Sequence, residues 1–212
     1  LSPSSAASDV YKRQITQDAA TDVSLKTDGT ITLTAGNNIG SQDSKIDVQA
    51  GGKVDVTAST GSVNINSVNK DISFGTIAAG TNIDISSTGA DAGNISFTND
   101  LNANGYINLD SSKNLDMSKN ITAKGDITLA ANDGITQGGL IHSTENGDVS
   151  ITNKSTGDIV LKNVTASGGN IAVNNNASGG NVQLTDVLNA DGSISISCLL
   201  YTSPSPRDIS GS

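Results

Sequence analysis

Residues 125–135 read Gly-Asp-Ile-Thr-Leu-Ala-Ala-Asn-Asp-Gly-Ile, a phrase that sets an apolar residue on each side of a polar one and closes with a turn. Alternate residues of a β-strand point to the same face, so Ile127 and Leu129 can cover a core while Thr128 faces outward. Similar phrases recur at 29–33, 52–56, 105–109, 147–151 and 157–161. A recurring short unit that cannot bury its apolar face alone is typical of a solenoid.

The apolar pairs return about every ten residues, the length of one short strand and one tight bend. They begin near positions 23, 31, 46, 54, 63, 72, 83, 95, 107, 115, 127, 149, 159, 171, 182 and 194. Two steps give a coil of about 20 residues with two walls, and three steps would give a coil of about 30; we favour the shorter coil. The sequence therefore predicts an all-β fold, a parallel β-helix of about nine coils.

Both ends of the chain differ in composition from the repeats. Residues 4–14 resemble the translation of a transposon-based sequencing adapter, and residues 198–208 resemble its companion read on the opposite strand. We therefore expect residues 1–14 and 198–212 to be disordered adapter sequence, and residues 15–197 to be an internal fragment of a larger protein. All prolines and arginines and the single cysteine lie in the two flanks.

Composition limits the partners of the central segment. Residues 15–197 contain 9 lysines, no arginine and 19 acidic residues, of which only Glu145 is not an aspartate. An acidic chain without arginine has no basic patch for a phosphate backbone, so we expect no nucleic-acid binding. No apolar run approaches the roughly 20 residues of a membrane-spanning helix, and we expect no such segment.

One family resemblance rests on two copies of the repeat. Residues 29–39 align without gaps with residues 125–135, and the second copy continues into Thr136-Gln137-Gly138-Gly139. This phrase resembles the repeats of filamentous haemagglutinin-type exoproteins, the large adhesins that Gram-negative bacteria export by two-partner secretion. The resemblance covers essentially all of residues 15–197.

The resemblance implies both a fold and a role. The fold would be a right-handed parallel β-helix, and the role a structural stalk in a secreted, cell-surface protein that mediates or presents cell adhesion. Its partners would be a receptor or glycan on a host or neighbouring cell, reached through the parent protein, and an outer-membrane secretion pore during export. A passenger segment of an autotransporter is an alternative, because other large secreted adhesins use similar phrases.

A second alternative is an enzyme, since polysaccharide lyases and hydrolases also use parallel β-helices. Their sites need clustered carboxylates together with a base. Asp47 and Asp55 are eight residues apart, would project outward from neighbouring segments and are the candidate pair, but solvated wall acids explain them equally well. We therefore expect no enzyme activity, no catalytic residue and no cofactor.

Metal binding has little support in the sequence. His142 is the only histidine and lies in an irregular stretch, 139–147, so we expect an exposed loop residue. The Gly-Gly-x-Gly-x-Asp motif of calcium-binding β-rolls is absent, because neither 51–52 nor 168–169 continues as Gly-x-Asp. We expect no metal site.

Three short motifs have simple structural explanations. Residues 124–126, Lys-Gly-Asp, resemble an integrin-binding tripeptide but also open a strand phrase. Thr30, Thr32 and Thr34 form a run typical of ice-binding walls that other repeats do not continue. Asn-x-Ser/Thr sequons, the acceptor motif for N-glycosylation, begin at Asn94, Asn120, Asn153, Asn163 and Asn176 and are expected by chance in so polar a chain.

Overall fold

A nine-stranded parallel sheet forms one side of the molecule in the computed structural model, which describes residues 13–17, 25–68, 70–89 and 91–199. Within those ranges every regular element is a strand. We call this sheet wall 1. Its strands are β1 (Leu25–Thr27), β3 (Ile46–Ala50), β5 (Val63–Val68), β7 (Ile83–Thr88), β10 (Ile107–Ser111), β13 (Ile127–Ala131), β16 (Val149–Asn153), β19 (Ile171–Asn175) and β22 (Ile194–Cys198).

The opposite side begins as one wall and becomes two. Its first strands are β2 (Ile31–Ala35), β4 (Lys53–Ala58) and the long β6 (Ile72–Ala79). Wall 2 then contains β8 (Ile95–Phe97), β11 (Asn114–Met117), β14 (Gly134–Gln137), β17 (Ile159–Leu161) and β20 (Val182–Leu184). Wall 3 contains β9 (Leu101–Ala103), β12 (Ile121–Ala123), β15 (Leu140–Ser143), β18 (Asn163–Ala166) and β21 (Leu188–Ala190).

The split occurs at β6. The first half of β6 pairs with β8, and its second half pairs with β9 through Ala78 and Asn102. Residues 98–100 bend the chain between β8 and β9, so each later coil is three-sided. The described strands of walls 2 and 3 are all short, which lets three strands fit in a coil that we expected to hold two.

The strands pair in parallel and in register from coil to coil. In wall 1, Ile83 pairs with Ile107, and Ile107 pairs with Ile127. The coils differ somewhat in length: the step from Ile46 to its partner Ile65 is the shortest in this wall, and the step from Ile83 to Ile107 is the longest. All of these steps lie nearer the shorter of the two coil lengths considered, so the short coil is confirmed, and the all-β parallel solenoid with it. The right-handed sense stays a prediction.

The interior is a continuous column of aliphatic side chains. In β10, for example, Ile107 and Leu109 are completely buried, whereas Asn108 between them faces outward. Phe74 and Phe97 stack with ring centroids 5.7 Å apart on adjacent coils. Each buried aliphatic or aromatic side chain contributes about 1.5–3 kcal/mol relative to an exposed one. The core therefore exists only because successive coils stack.

The two flanks mostly fall outside the described residues. The expectation of disordered adapter sequence falls mainly on residues 1–12 and 200–212, which lie outside the described residues. Within the described part, Arg13 O accepts a hydrogen bond of 3.1 Å from Asn37 N. At the other end β22 runs to Cys198, which pairs with Asn175, one residue past the boundary expected at 197.

Side chains of Asp and Asn join each coil to the next at the bends. Ten of these residues, each just before a strand or bridge, accept a hydrogen bond from the backbone N–H at the equivalent position one coil later. The acceptor is always on the earlier coil. We call these contacts Asx rungs; the acceptors are Asn38, Asp71, Asn82, Asn94, Asp100, Asn120, Asp126, Asp148, Asp158 and Asn170.

Glycine precedes the donor residue in eight of the ten rungs. At Gly105 a Cβ would collide with Asn82 Oδ1, the acceptor for Tyr106 N at 3.0 Å. The same collision would occur at Gly61, Gly93 and Gly192. At these four positions the glycine makes room for the rung side chain of the preceding coil.

Polar residues also stack inside the corner that follows wall 1. Ser67, Ser87 and Ser111 are buried and donate to backbone carbonyls of the bend. Further along the rod, Asn153 Nδ2 donates to Asn175 Oδ1 at 3.2 Å. Asn153 Oδ1 has no partner among the described residues. The donating groups satisfy carbonyls that a wholly apolar corner would leave unpaired.

Removing one rung is expected to cost about 1 kcal/mol in the free energy of unfolding, the usual net value of such a hydrogen bond. The test is Asn82→Ala, which takes away the acceptor for Tyr106 N, measured by urea unfolding. Asn102→Ala is the matched control, because Asn102 is an exposed asparagine whose side chain makes no hydrogen bond within the described residues. Equal losses in the two variants would show that the rungs do not stabilise the coils.

Candidate functional site

The two candidate catalytic acids lie on different walls. Asp47 belongs to β3 in wall 1, where Asn66 Nδ2 donates to it at 2.7 Å and Gln17 Nε2 at 3.0 Å. Asp55 belongs to β4 on the opposite side, at a register irregularity, and accepts from Thr76 N at 2.6 Å. Each carboxylate thus has its own neighbours, and the structure does not bring the two together as a catalytic pair.

His142 lies in strand β15 rather than in an exposed loop, so that expectation was wrong. Its side chain is half-buried, and Nε2 lies 3.2 Å from Ser167 Oγ. The irregular spacing around it reflects the short strands of wall 3, which leave room for a bend on each side.

The Lys-Gly-Asp tripeptide occupies the bend between β12 and β13. Asp126 Oδ1 accepts from Asp148 N at 2.9 Å, so this carboxylate forms an Asx rung. Lys124 Nζ lies 3.1 Å from Glu145 Oε1 at the surface. The structural explanation of this motif accounts for both of its charged residues.

The sequons differ in their accessibility. Asn153 is fully buried and hydrogen-bonded to the chain, and Asn94 and Asn120 serve as rung acceptors. Asn163 is half-buried, and Asn176 is exposed. Asn153 therefore cannot be reached by a modifying enzyme in the folded protein.

Neither the threonine run nor the two glycine pairs form a repeated surface array of the kind that ice or calcium binding needs. Thr32 and Thr34 face outward on β2, but their partners in β4 are Asp55 and Thr57, so the next coil breaks the Thr-x-Thr pattern. The pairs 51–52 and 168–169 lie in bends between strands. Within the described ranges no group of three or more His, Cys, Asp or Glu side chains is placed to hold a metal ion.

A cluster that the sequence did not reveal lies on the outer face of wall 1. Asp84 is only 3% exposed although its side chain points outward. Lys45 Nζ donates to Asp84 Oδ1 at 2.7 Å and to Ser86 Oγ at 3.2 Å, and Asn108 Nδ2 donates to Asp84 Oδ1 at 2.9 Å. We call Lys45, Asp84, Ser86 and Asn108 the wall 1 cluster.

An insertion places Lys45 over this cluster. Ile39 bridges to Val63, and Ile46 pairs with Ile65. The chain from Ile39 to Ile46 is therefore longer than the chain from Val63 to Ile65, although both join the same two positions of the wall. Residues 40–45 form a loop on wall 1 that brings the lysine to an acid two strands away. The uneven step from Ile39 to the next apolar pair was the only sign of it in the sequence.

Tyr106 adjoins the wall 1 cluster. Burial and the negative charge of Asp84 raise the pKa of the Tyr106 phenol above its ordinary value of 10.0. The phenol is therefore protonated at neutral pH and can donate a hydrogen bond, while the cluster as a whole is held by contacts within the chain. The geometry supports a role in stability.

Two surface grooves flank β6, where the single wall divides. Groove 1, with a volume of about 510 Å³, has a floor of small residues that includes Ala58, Ala79 and Ala103, with Lys124 at its rim. Groove 2, with a volume of about 580 Å³, follows the outer face of wall 2 across four coils. Its outward side chains in register are Ser73, Ser96, Asp116 and Thr136.

Comparison of the chain with known protein families, with curated proteins and with solved structures finds no match. Among the described residues, no helix has the length and apolar character to span a membrane. The function is therefore inferred from the geometry of the molecule.

Breaking the wall 1 ion pair is expected to destabilise the protein by about 3 kcal/mol, because Lys45→Met leaves a buried carboxylate without its cation. Lys154→Met is the control, since Lys154 and Asp110 form a pair whose side chains are 42% and 45% exposed and should contribute less than about 1 kcal/mol. Urea unfolding measures both. The double variant Lys45→Met/Asp84→Asn should regain most of the loss; equal effects of the two lysine variants would contradict the buried pair.

The raised pKa of Tyr106 predicts a pH dependence of stability. The folded protein holds the phenol proton more tightly than the unfolded chain, so this contribution is complete below about pH 10 and is lost as the pH rises through the folded pKa. Wild type should therefore lose more stability than Tyr106→Phe between about pH 8 and pH 11, measured by urea unfolding. Both proteins carry the same lysines, and parallel losses would show that Tyr106 titrates normally.

Proposed function

We propose that this chain is a structural stalk segment of a large, secreted, haemagglutinin-like adhesin of a Gram-negative cell surface. Its role is to hold the binding regions of the parent protein away from the cell, where they meet a receptor or glycan on a host or neighbouring cell. In this proposal residues 15–197 are the natural segment, flanked by translated adapter sequence.

The observation that carries the proposal is the uninterrupted stack of nine parallel strands in wall 1. Along this stack the backbone hydrogen bonds run parallel to the rod, and ten Asx rungs reinforce them at the bends. A rod of this kind resists bending and stretching because every inner coil is fixed to two neighbours. The candidate acids Asp47 and Asp55, which an enzyme would need together, lie on separate walls.

The surface and the composition suit an exported rod. The acidic coat, with a net charge of −9 over the whole chain, keeps such a particle in solution by mutual repulsion. Residues 15–197 contain no cysteine, so an unfolded chain passing through an outer-membrane pore could form no internal disulfide on the way.

Long-read sequencing of the source gene across both flanks tests the proposal. We expect the same strand period to continue for many further coils behind an N-terminal secretion domain. A solenoid that ends within a few coils and carries clustered carboxylates beside a lysine or arginine would instead identify a β-helix enzyme.

A further inference from the structure

We infer that groove 2 binds a polysaccharide that carries free amino groups, laid along the axis of the rod. The inference goes beyond the proposed function, since it assigns a ligand class to a segment otherwise assigned to support. It starts from the arrangement of side chains in the groove, where one row faces outward from the middle of the strands and a second row lies at the bend.

The outward row repeats once per coil. Ser73, Ser96, Asp116 and Thr136 occupy equivalent positions on successive strands, which lie about 4.8 Å apart. Within the described residues Ser73, Asp116 and Thr136 make no side-chain hydrogen bond, so their hydroxyl and carboxylate groups are available. A ligand that repeats along its length can meet such a row with one unit after another.

The row at the bend adds further groups of fixed orientation. Asp71 Oδ1 accepts from Asn94 N at 2.7 Å, and Asn94 Oδ1 accepts from Asn114 N at 3.0 Å. These rungs hold the side chains of Asp71 and Asn94 still and leave Asp71 Oδ2, Asn94 Nδ2 and Asn114 Oδ1 unbonded within the described part of the chain. The groove therefore offers donors and acceptors that are already held in place by the fold, so binding a ligand costs little further side-chain conformational entropy.

The charge of the groove selects the partner. The two charged side chains of its lining, Asp71 and Asp116, are both acidic, and the outward row continues at its β4 end into Lys53, the pairing partner of Ser73. Nucleic acids and sulfated or carboxylated glycans are repelled by this charge. An ammonium group is attracted, and it can donate to a carboxylate in a charge-assisted hydrogen bond.

The groove is poorly suited to a protein partner. Its apolar residues Ile72 and Leu115 are buried in the floor, and it presents no aromatic ring, so it lacks the anchor pockets that dominate protein interfaces. The strands β8 and β11 pair on both edges, which prevents a peptide from adding as a strand. The ligand that fits the groove is therefore a flexible chain whose repeating units carry hydroxyl and amino groups.

The test uses the full chain and a soluble glucosamine oligomer, with binding measured by isothermal titration calorimetry. The fully N-acetylated oligomer and a sulfated oligomer serve as neutral and anionic comparisons. We expect the glucosamine oligomer to bind, the acetylated form to bind more weakly, and the sulfated form not to bind. No binding of the glucosamine oligomer, or stronger binding of the sulfated one, would overturn the inference.

Variants separate groove binding from general attraction between amines and an acidic rod. Asp116→Asn should weaken binding about tenfold, the loss expected for one charge-assisted hydrogen bond. Asp43→Asn is the control, an exposed aspartate of the 40–45 loop on wall 1 whose side chain, like that of Asp116, makes no hydrogen bond within the described residues. Equal weakening by the two variants would mean that charge alone attracts the oligomer and would overturn the site.

A second pair of variants tests the hydroxyl row without changing charge. Thr136→Val in groove 2 should weaken binding, and Thr128→Val, an outward residue of wall 1, should leave it unchanged. Melting temperatures establish that all four variants fold. Failure of binding leaves the stalk proposal standing, and flanking sequence that rejects the stalk leaves the binding result intact, so the two outcomes are distinguishable.

Discussion

The structure depends on one constraint: no coil can bury its own apolar face, so each must be fixed to the next in register. The backbone ladders of the walls fix the strands and continue in part through the bends, where Gly125 N, for example, donates to Gly105 O at 2.9 Å. The Asx rungs extend the ladder through these bends. Aspartate and asparagine suit this position because their short side chains reach only as far as the adjacent coil. Five of the ten acceptors are aspartates, five are asparagines and none is the single glutamate.

The sequence predicted the fold well because its signal is local and repeated. Alternation in phrases such as 125–135 predicted which residues face the core, and Ile127 and Leu129 are indeed buried. The division of one wall into two was not predictable from spacing, because a bend at residues 98–100 contains no proline or glycine to mark it. The spacing of the apolar pairs counted strands correctly in the first coils, where two fill a coil, and missed the third strand later.

The surface features were harder to predict, for a different physical reason. Lys45 and Asp84 are far apart in the chain, and nothing in either local sequence indicates the partner. Groove 2 likewise gathers residues of several coils, so that Ser73 and Thr136 line it together although they are far apart in the sequence. Asp47 and Asp55 illustrate the converse, since their closeness in the sequence suggested proximity and the bend between β3 and β4 sends them to opposite sides. In a solenoid, distance along the chain is a poor guide to distance on the surface.

The Asx rungs all run in one sense, with the acceptor on the earlier coil and the donor on the later one. At these ten positions a coil therefore displays side-chain oxygens, already oriented, toward the coil that follows it. Assembly of such a rod has a leading face and a trailing face that are chemically different. A polypeptide that emerged with its N-terminus first would meet rung acceptors already in place at each of these bends.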